Sequence, residues 1–227
     1  MRAAVEALSP QHLGVEFRVI RVPFFLEPRY IDYPPEFRES HEERMVRKFG
    51  SKQAFDRVKA AHGLIPRGAE VGLDASVGFT QEQLDKRIQS STLNSHKLVL
   101  FTTQKHGSAV AESLYDQLNT RHFLQGGVLN DKTLLQESVA ALGLGQEHTA
   151  ELLAFVADDE WGKEETLYLY EQTQRLGIDS IPTLVIDGQY LVSGAAGAVE
   201  IQEAIAAALN APGGVTGQLA FDRRVIA

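Results

Sequence analysis

A hairpin signal late in the chain constrains the fold more than any other feature of the sequence. The stretch GIDSIPTLVIDGQYLVSG, residues 177–194, contains two β-rich runs, Thr183 to Asp187 and Tyr190 to Ser193, joined through Asp187-Gly188 or Gly188-Gln189. Asp-Gly between such runs is a strong hairpin signal. Pro182 stands at the mouth of the first run. Because proline cannot donate to a sheet ladder, Pro182 must start an edge, end a pairing or form a cis turn.

Helical spacing of apolar residues dominates most of the remaining chain. The predicted helices cover residues 36–62 with a break at 50–51, then 80 onward, 94–106, 108–123, 131–142, 146–155, 160–176 and 198–210. Ser51 is a predicted N-cap, and Thr80 with Gln83 matches a capping box. In the last helix, Val199, Ile201 or Ile205, and Leu209 are predicted to point inward. The middle of the chain is therefore predicted to be a helical domain.

The N-terminal part of the sequence has a different pattern. Residues 1–8, MRAAVEAL, predict a helix that has no N-cap and no entry turn. Residues 14–28 alternate apolar and charged side chains and predict a strand, which Pro23 and Pro28 bring to an end. Because the chain begins inside a helix, we expect Met1 to be an internal methionine of a longer protein.

Composition excludes several functional classes. The chain has 227 residues, a formal net charge of -8 and no cysteine. The acidic balance argues against a nucleic acid or an anionic membrane as partner. No apolar run approaches the roughly 20 residues of a membrane span, and a cytoplasmic location is the expectation. The absence of cysteine excludes disulfides, thiolate metal sites and cysteine catalysis by this chain.

Several segments together resemble the DsbA-like family of thioredoxin-fold proteins, in particular its cytosolic FrnE-like branch. They are LGIDSIPTLVIDGQYLVSGA at 176–195, VPFFLEP at 22–28, STLNSHKLVLFTTQKHG at 91–107 and HFLQGGVLNDKTLLQESVAALGL at 122–144. The resemblance covers most of residues 15–210. It implies an α/β, thioredoxin-like fold with an inserted all-helical domain, here without the first strand of that fold. Residues 1–35 and 162–212 would form the thioredoxin-like domain, 36–161 the helical insertion and 213–227 a tail.

The resemblance also implies a site and a partner. In the family, the proline at the position of Pro182 is cis and faces a catalytic Cys-x-x-Cys, so that Ile181, Pro182 and Thr183 would bind the substrate. His96 would lie in the helical domain at the border of the site. The partners would be protein thiols or disulfides, and no cofactor would be needed. This chain departs from the family because it lacks both cysteines.

Two further classes of function stay open on the sequence alone. Glutathione-dependent isomerases and kappa-class transferases share the implied fold; under this alternative glutathione would be the cofactor, and the partners would be glutathione-linked small molecules. A non-catalytic protein that keeps only the peptide-binding surface is the other alternative, and a homodimer is compatible with all three. The remaining histidines show no metal-ligand spacing, so no metal site is predicted; they are His12, His41, His62, His106, His122 and His148.

Overall fold

The protein is described by a computed structural model. The structure describes residues 16–62, 80, 83, 87–194, 196–213, 216, 217 and 220–222. The chain divides into two compact units, a helical unit of Glu27–Thr166 and a hairpin unit of Met1–Leu26 with Leu167–Ala227. The predicted boundaries fall after residues 35 and 161, and the predicted tail at 213–227 is not separated from the hairpin unit by this division. The predicted helix at 1–8 lies outside the described residues.

The helical unit contains most of the regular structure. In chain order it has the 3₁₀ helix Pro28–Ile31, β1 Glu39–Ser40, α1 His41–Phe49, α2 Lys52–His62, β2 Ile88–Gln89, α3 Leu93–Asn119, the π-helical segment Thr120–Leu124, α4 Lys132–Ala140 and α5 Gln146–Ala157. The helix α6, Lys163–Arg175, begins in this unit and continues into the hairpin unit. Strands β1 and β2 pair antiparallel, with Glu39 opposite Gln89. None of the helices in the described ranges is both long and apolar enough to cross a lipid bilayer.

Local hydrogen bonds explain where these helices begin. Ser40 Oγ accepts a hydrogen bond from Glu43 N at 3.1 Å, and Ser40 N donates to Glu43 Oε2 at 2.7 Å, so α1 begins five residues later than predicted. The predicted cap at Ser51 is present, because its Oγ accepts from Ala54 N at 3.1 Å. The Thr80–Gln83 capping box is present as well, with hydrogen bonds of 2.8 and 3.1 Å.

The core of the helical unit lies between α3, α4 and α5. Its buried members are Leu98, Val99, Phe101, Leu114, Leu118, Leu134, Leu135, Val139, Leu152, Phe155 and Val156. The rings of Phe101 and Phe155 stack with centroids 4.0 Å apart. Trp161, which is 45% exposed, contacts both rings, with centroid distances of 4.9 and 5.1 Å. Helix α3 is interrupted at Gly107, where φ is 82° and ψ is 167°, a conformation that essentially only glycine adopts.

The hairpin unit contains β3 Thr183–Ile186, β4 Tyr190–Ser193 and α7 Ala198–Leu209. The predicted hairpin is confirmed, with Thr183 opposite Ser193 and Ile186 opposite Tyr190. Asp187 and Gly188 have φ values of 49° and 69°. Gln189 N donates to the Ile186 carbonyl at 3.1 Å. Asp187-Gly188 therefore forms the centre of the turn, as the positive φ values of a type I′ turn require.

Two predictions for the hairpin unit are wrong. Residues 16–28 form no strand; instead, Phe17 packs on Ile201 and Ile205, and the Phe25 ring meets Tyr170 edge to face at 4.9 Å. A strand needs a neighbouring strand to pair with, and the two strand pairs among the described residues do not include this segment. Val199 points outward and is 64% exposed, because the apolar stripe of α7 runs through Ile201 and Ile205.

Candidate functional site

The end of α6 positions the candidate site, which is the turn of Ile181, Pro182 and Thr183. Gly177 has a φ of 70° and donates its N–H to the Gln174 carbonyl at 3.0 Å. The next residue, Ile178, donates to the Thr173 carbonyl, also at 3.0 Å. These two bonds form a Schellman motif, which ends the helix and satisfies two of its last carbonyls. Ile178 is buried and anchors the turn that leads to the site.

The Ile181–Pro182 peptide bond is cis. Pro182 accepts a hydrogen bond at its carbonyl from Gly194 N at 2.9 Å, which extends the hairpin ladder by one bond beyond the Thr183–Ser193 pair. Thr183 Oγ1 donates to the Ser180 carbonyl at 2.8 Å and closes the turn from the other side. The two bonds fix the backbone on both sides of the proline, so that Pro182 is held at the head of β3.

The site presents backbone and apolar surface rather than charge. Ile181 is 48% exposed and Pro182 is exposed as well. Within the part of the chain that the structure describes, β4 is the only strand paired with β3, so the other edge of β3 has no strand partner there. An open strand edge beside an exposed apolar side chain can bind an extended peptide by main-chain pairing. Ile181, Pro182 and Thr183 carry no nucleophilic thiol and no titratable side chain.

His96 belongs to a different part of the molecule. It lies in the first turns of α3, half-buried, where its N–H donates to the Thr92 carbonyl at 3.0 Å. This places His96 in the helical unit, whereas Ile181, Pro182 and Thr183 are in the hairpin unit. The role of His96 at the border of a site stays a prediction.

Lys97 is a feature that the sequence did not reveal. Its side chain is buried, and Nζ donates to the carbonyls of Asp158 and Asp159 at 3.2 and 2.6 Å. Burial lowers the pKa of Lys97, while the nearby carboxylates, chiefly Asp159, act in the opposite direction. The ammonium group thus caps the carboxyl end of α5, where cations are favoured. A lysine followed by the apolar run 98–101 was the only sequence signal for this role.

The structure also gathers three possible metal-ligating side chains that the spacing in the sequence does not connect. They are His106 at the break in α3 and His148 and Glu151 on α5. The i, i+3 spacing of His148 and Glu151 on a predicted helix was visible in the sequence, since residues three apart share a helix face. The third member is 42 positions away from His148, and only the packing of α3 on α5 brings it near.

Comparisons with known proteins identify the fold. No protein-family model matches the chain, and no curated protein matches it either. Among solved structures, the chain is similar to a probable DsbA oxidoreductase from Streptomyces coelicolor, with 24% sequence identity and a TM-score of 0.67. The alignment covers 90% of this chain and 81% of that one. The chain therefore has a mixed α/β, DsbA-like thioredoxin fold with a helical insertion, as predicted.

Proposed function

We propose that this chain carries the substrate-binding half of a thiol-disulfide oxidoreductase of the DsbA-like type, FrnE-like branch. The observation that carries the proposal is the exposed cis Ile181–Pro182 turn at the head of β3, beside an edge of that strand that no described strand covers. The ligand is a polypeptide segment that contains a thiol or a disulfide, bound in an extended conformation. The resemblance to the cytosolic branch supports a cytoplasmic site of action.

Main-chain pairing provides the affinity in this proposal. A peptide that adds to the edge of β3 gains backbone hydrogen bonds, and pockets or apolar contacts for alternate side chains give selectivity. Pro182 lacks an N–H, and its carbonyl already accepts from Gly194. The backbone of Ile181 is therefore the position next to the proline that pairs with the ligand, and the exposed Ile181 side chain supplies the apolar contact.

The chain itself does not exchange disulfides. Exchange requires a thiolate that attacks one sulfur of a disulfide and expels the other sulfur as a thiolate. The 227 residues contain no cysteine, so neither the attacking nor the resolving sulfur is in this chain. Its proposed role is recognition, and no cofactor takes part in it.

The test is a matched pair of variants in the hairpin unit. Ile181 and Val199 are both exposed aliphatic residues, but only Ile181 lies beside Pro182. Isothermal titration with an unstructured peptide containing one disulfide should give saturable binding to the parent chain. Ile181→Asp should weaken binding by at least about tenfold, or 1.4 kcal/mol, while Val199→Asp should leave it unchanged. Dithiothreitol-driven reduction of insulin should not be accelerated by any of the three proteins.

Three outcomes would contradict the proposal. Equal binding by both variants would place the peptide elsewhere on the molecule. Accelerated insulin reduction by the cysteine-free chain would show chemistry that the proposal excludes. Tight binding of S-hexylglutathione that the peptide cannot match, and that Ile181→Asp abolishes, would favour the glutathione-linked alternative at the same site.

A further inference from the structure

His106, in the helical unit, has a buried ring nitrogen that makes no hydrogen bond to any described residue. The His106 side chain is only 7% exposed, and its Nε2 atom is buried without a hydrogen bond to any residue that the structure describes. Glu151 Oε2 lies 3.2 Å away, but outside the geometry of a hydrogen bond. Buried polar atoms almost always make a hydrogen bond, so a ring nitrogen that makes none needs an explanation.

Two more side chains that can bind a metal ion, those of His148 and Glu151, lie close to this nitrogen. The ring of His148 meets that of His106 with centroids 4.9 Å apart and an angle of 75° between the planes. One donor atom from each of His106, His148 and Glu151 can be chosen so that all three lie within 4.8 Å of one another. His148 and Glu151 are one helical turn apart on α5, and His106 reaches them from α3 just before the break at Gly107.

We propose that His106, His148 and Glu151 bind a divalent transition cation of the zinc type. Two imidazoles and one carboxylate are a ligand set that Zn²⁺ accepts, with water in the remaining position, whereas Mg²⁺ and Ca²⁺ prefer oxygen ligands. Zinc ligands 2.0–2.2 Å from the ion in a tetrahedral site are about 3.4 Å from each other. The separation of His106 Nε2 and Glu151 Oε2 already matches that spacing, and the exposed His148 ring can turn inward to complete the set.

The proposed site explains the unsatisfied nitrogen better than an ion pair does. In an ion pair, an imidazolium N–H would point at the carboxylate, and this arrangement lacks that alignment. A metal ion instead takes the lone pair of a neutral imidazole, so Nε2 needs no proton. The ion would join α3 to α5 at the surface of the helical unit. It is independent of the proposed peptide-binding function, whose residues are in the hairpin unit.

The test uses the full chain without a polyhistidine tag and ZnCl₂ alone as the probe. Isothermal titration should show one saturable Zn²⁺ site per chain. His148→Ala and Glu151→Gln should each weaken it by at least about tenfold, since even outer-shell partners of metal ligands contribute that much. The control is Glu147→Gln, which alters an exposed carboxylate one residue away on the same helix and should bind like the parent. CoCl₂ should give the visible absorption bands of low-coordinate Co²⁺ with the parent and not with His148→Ala.

These variants keep the test independent of folding, because His148 is exposed and Glu151 is partly exposed, so neither change removes a core contact. The proposal is overturned if the parent chain shows no saturable Zn²⁺ binding. It is equally overturned if the three variants bind Zn²⁺ alike, because the ion would then sit on other groups of this acidic protein.

Discussion

The helical unit and the hairpin unit bury their apolar residues in different ways. In the helical unit, three helices enclose a continuous core in which Leu98, Leu114 and Leu152 are fully buried. In the hairpin unit, the cluster formed by the described residues around β3 and α7 has Ile201 and Ile205 as its buried members, while Leu184 and Ile186 of β3 are half-buried. We therefore expect the cluster of the helical unit to contribute more to stability than the cluster around β3, whose half-buried side chains suit the proposed peptide-binding role.

Core truncations should give the largest effect and the sharpest test of this comparison. Phe155→Ala removes a ring that stacks on Phe101 and touches Trp161, and should cost about 3–5 kcal/mol of unfolding free energy. Ile205→Ala in the hairpin unit should cost about 2 kcal/mol, because its neighbours are half-buried and can relax into the space. Chemical denaturation followed by circular dichroism measures both. Equal losses would show that the two cores are equally well packed, contrary to the comparison.

Acid should destabilise the helical unit through His122, with the next largest effect. Nδ1 of His122 lies 2.7 Å from the Gly127 carbonyl oxygen, which can only accept, so Nδ1 carries the proton of the neutral ring. Burial lowers the pKa of His122 from 6.5 to about 4, and the nearby charge of Arg87 acts in the same direction. The unfolded chain binds a proton at His122 more readily than the folded chain does. The folded state is therefore fully stable with respect to this group above pH 6.5, and it loses roughly 3 kcal/mol of unfolding free energy as the pH falls toward 4.

The control for this pH dependence is His122→Asn, whose amide can still donate to Gly127 but does not titrate. Denaturation curves between about pH 7 and pH 4 should show a smaller loss of stability for the variant than for the parent. If the two proteins lost the same free energy over this range, the destabilisation would come from groups other than His122.

The smallest expected effect concerns the helix end that positions the candidate site. An added methyl group at Gly177 would meet no atom within 4 Å, so Gly177→Ala tests only the cost of a φ of 70°. We expect a loss of about 1 kcal/mol in unfolding free energy, with a smaller loss for Gly177→Asn, since asparagine tolerates this conformation. If the two variants lost the same unfolding free energy, the positive φ of the Schellman motif would not be the reason for a glycine at this position.

Features that depend on neighbouring residues in the chain could be predicted from the sequence. The Asp187-Gly188 turn, the cap at Ser51 and the capping box of Thr80 and Gln83 depend on residues that are close in the chain, and the structure contains all of them. Apolar and charged residues alternate in residues 14–28, as in a strand with one buried face, and this pattern predicted a strand. Whether a strand forms also depends on a second strand to pair with, which the pattern cannot show. The surroundings of Lys97 and His106 depend in the same way on the packing of α3 against α5.

The position of Trp161 has a spectroscopic consequence. It is the single tryptophan among 227 residues, and it rests half-exposed against Phe101 and Phe155 in the helical unit. Loss of that packing exposes the indole to water and shifts its emission to longer wavelength. Tryptophan emission therefore follows the helical unit alone, whereas the far-ultraviolet signal sums both units. A denaturation experiment recorded with both signals separates the unfolding of the helical unit from that of the hairpin unit without any added label.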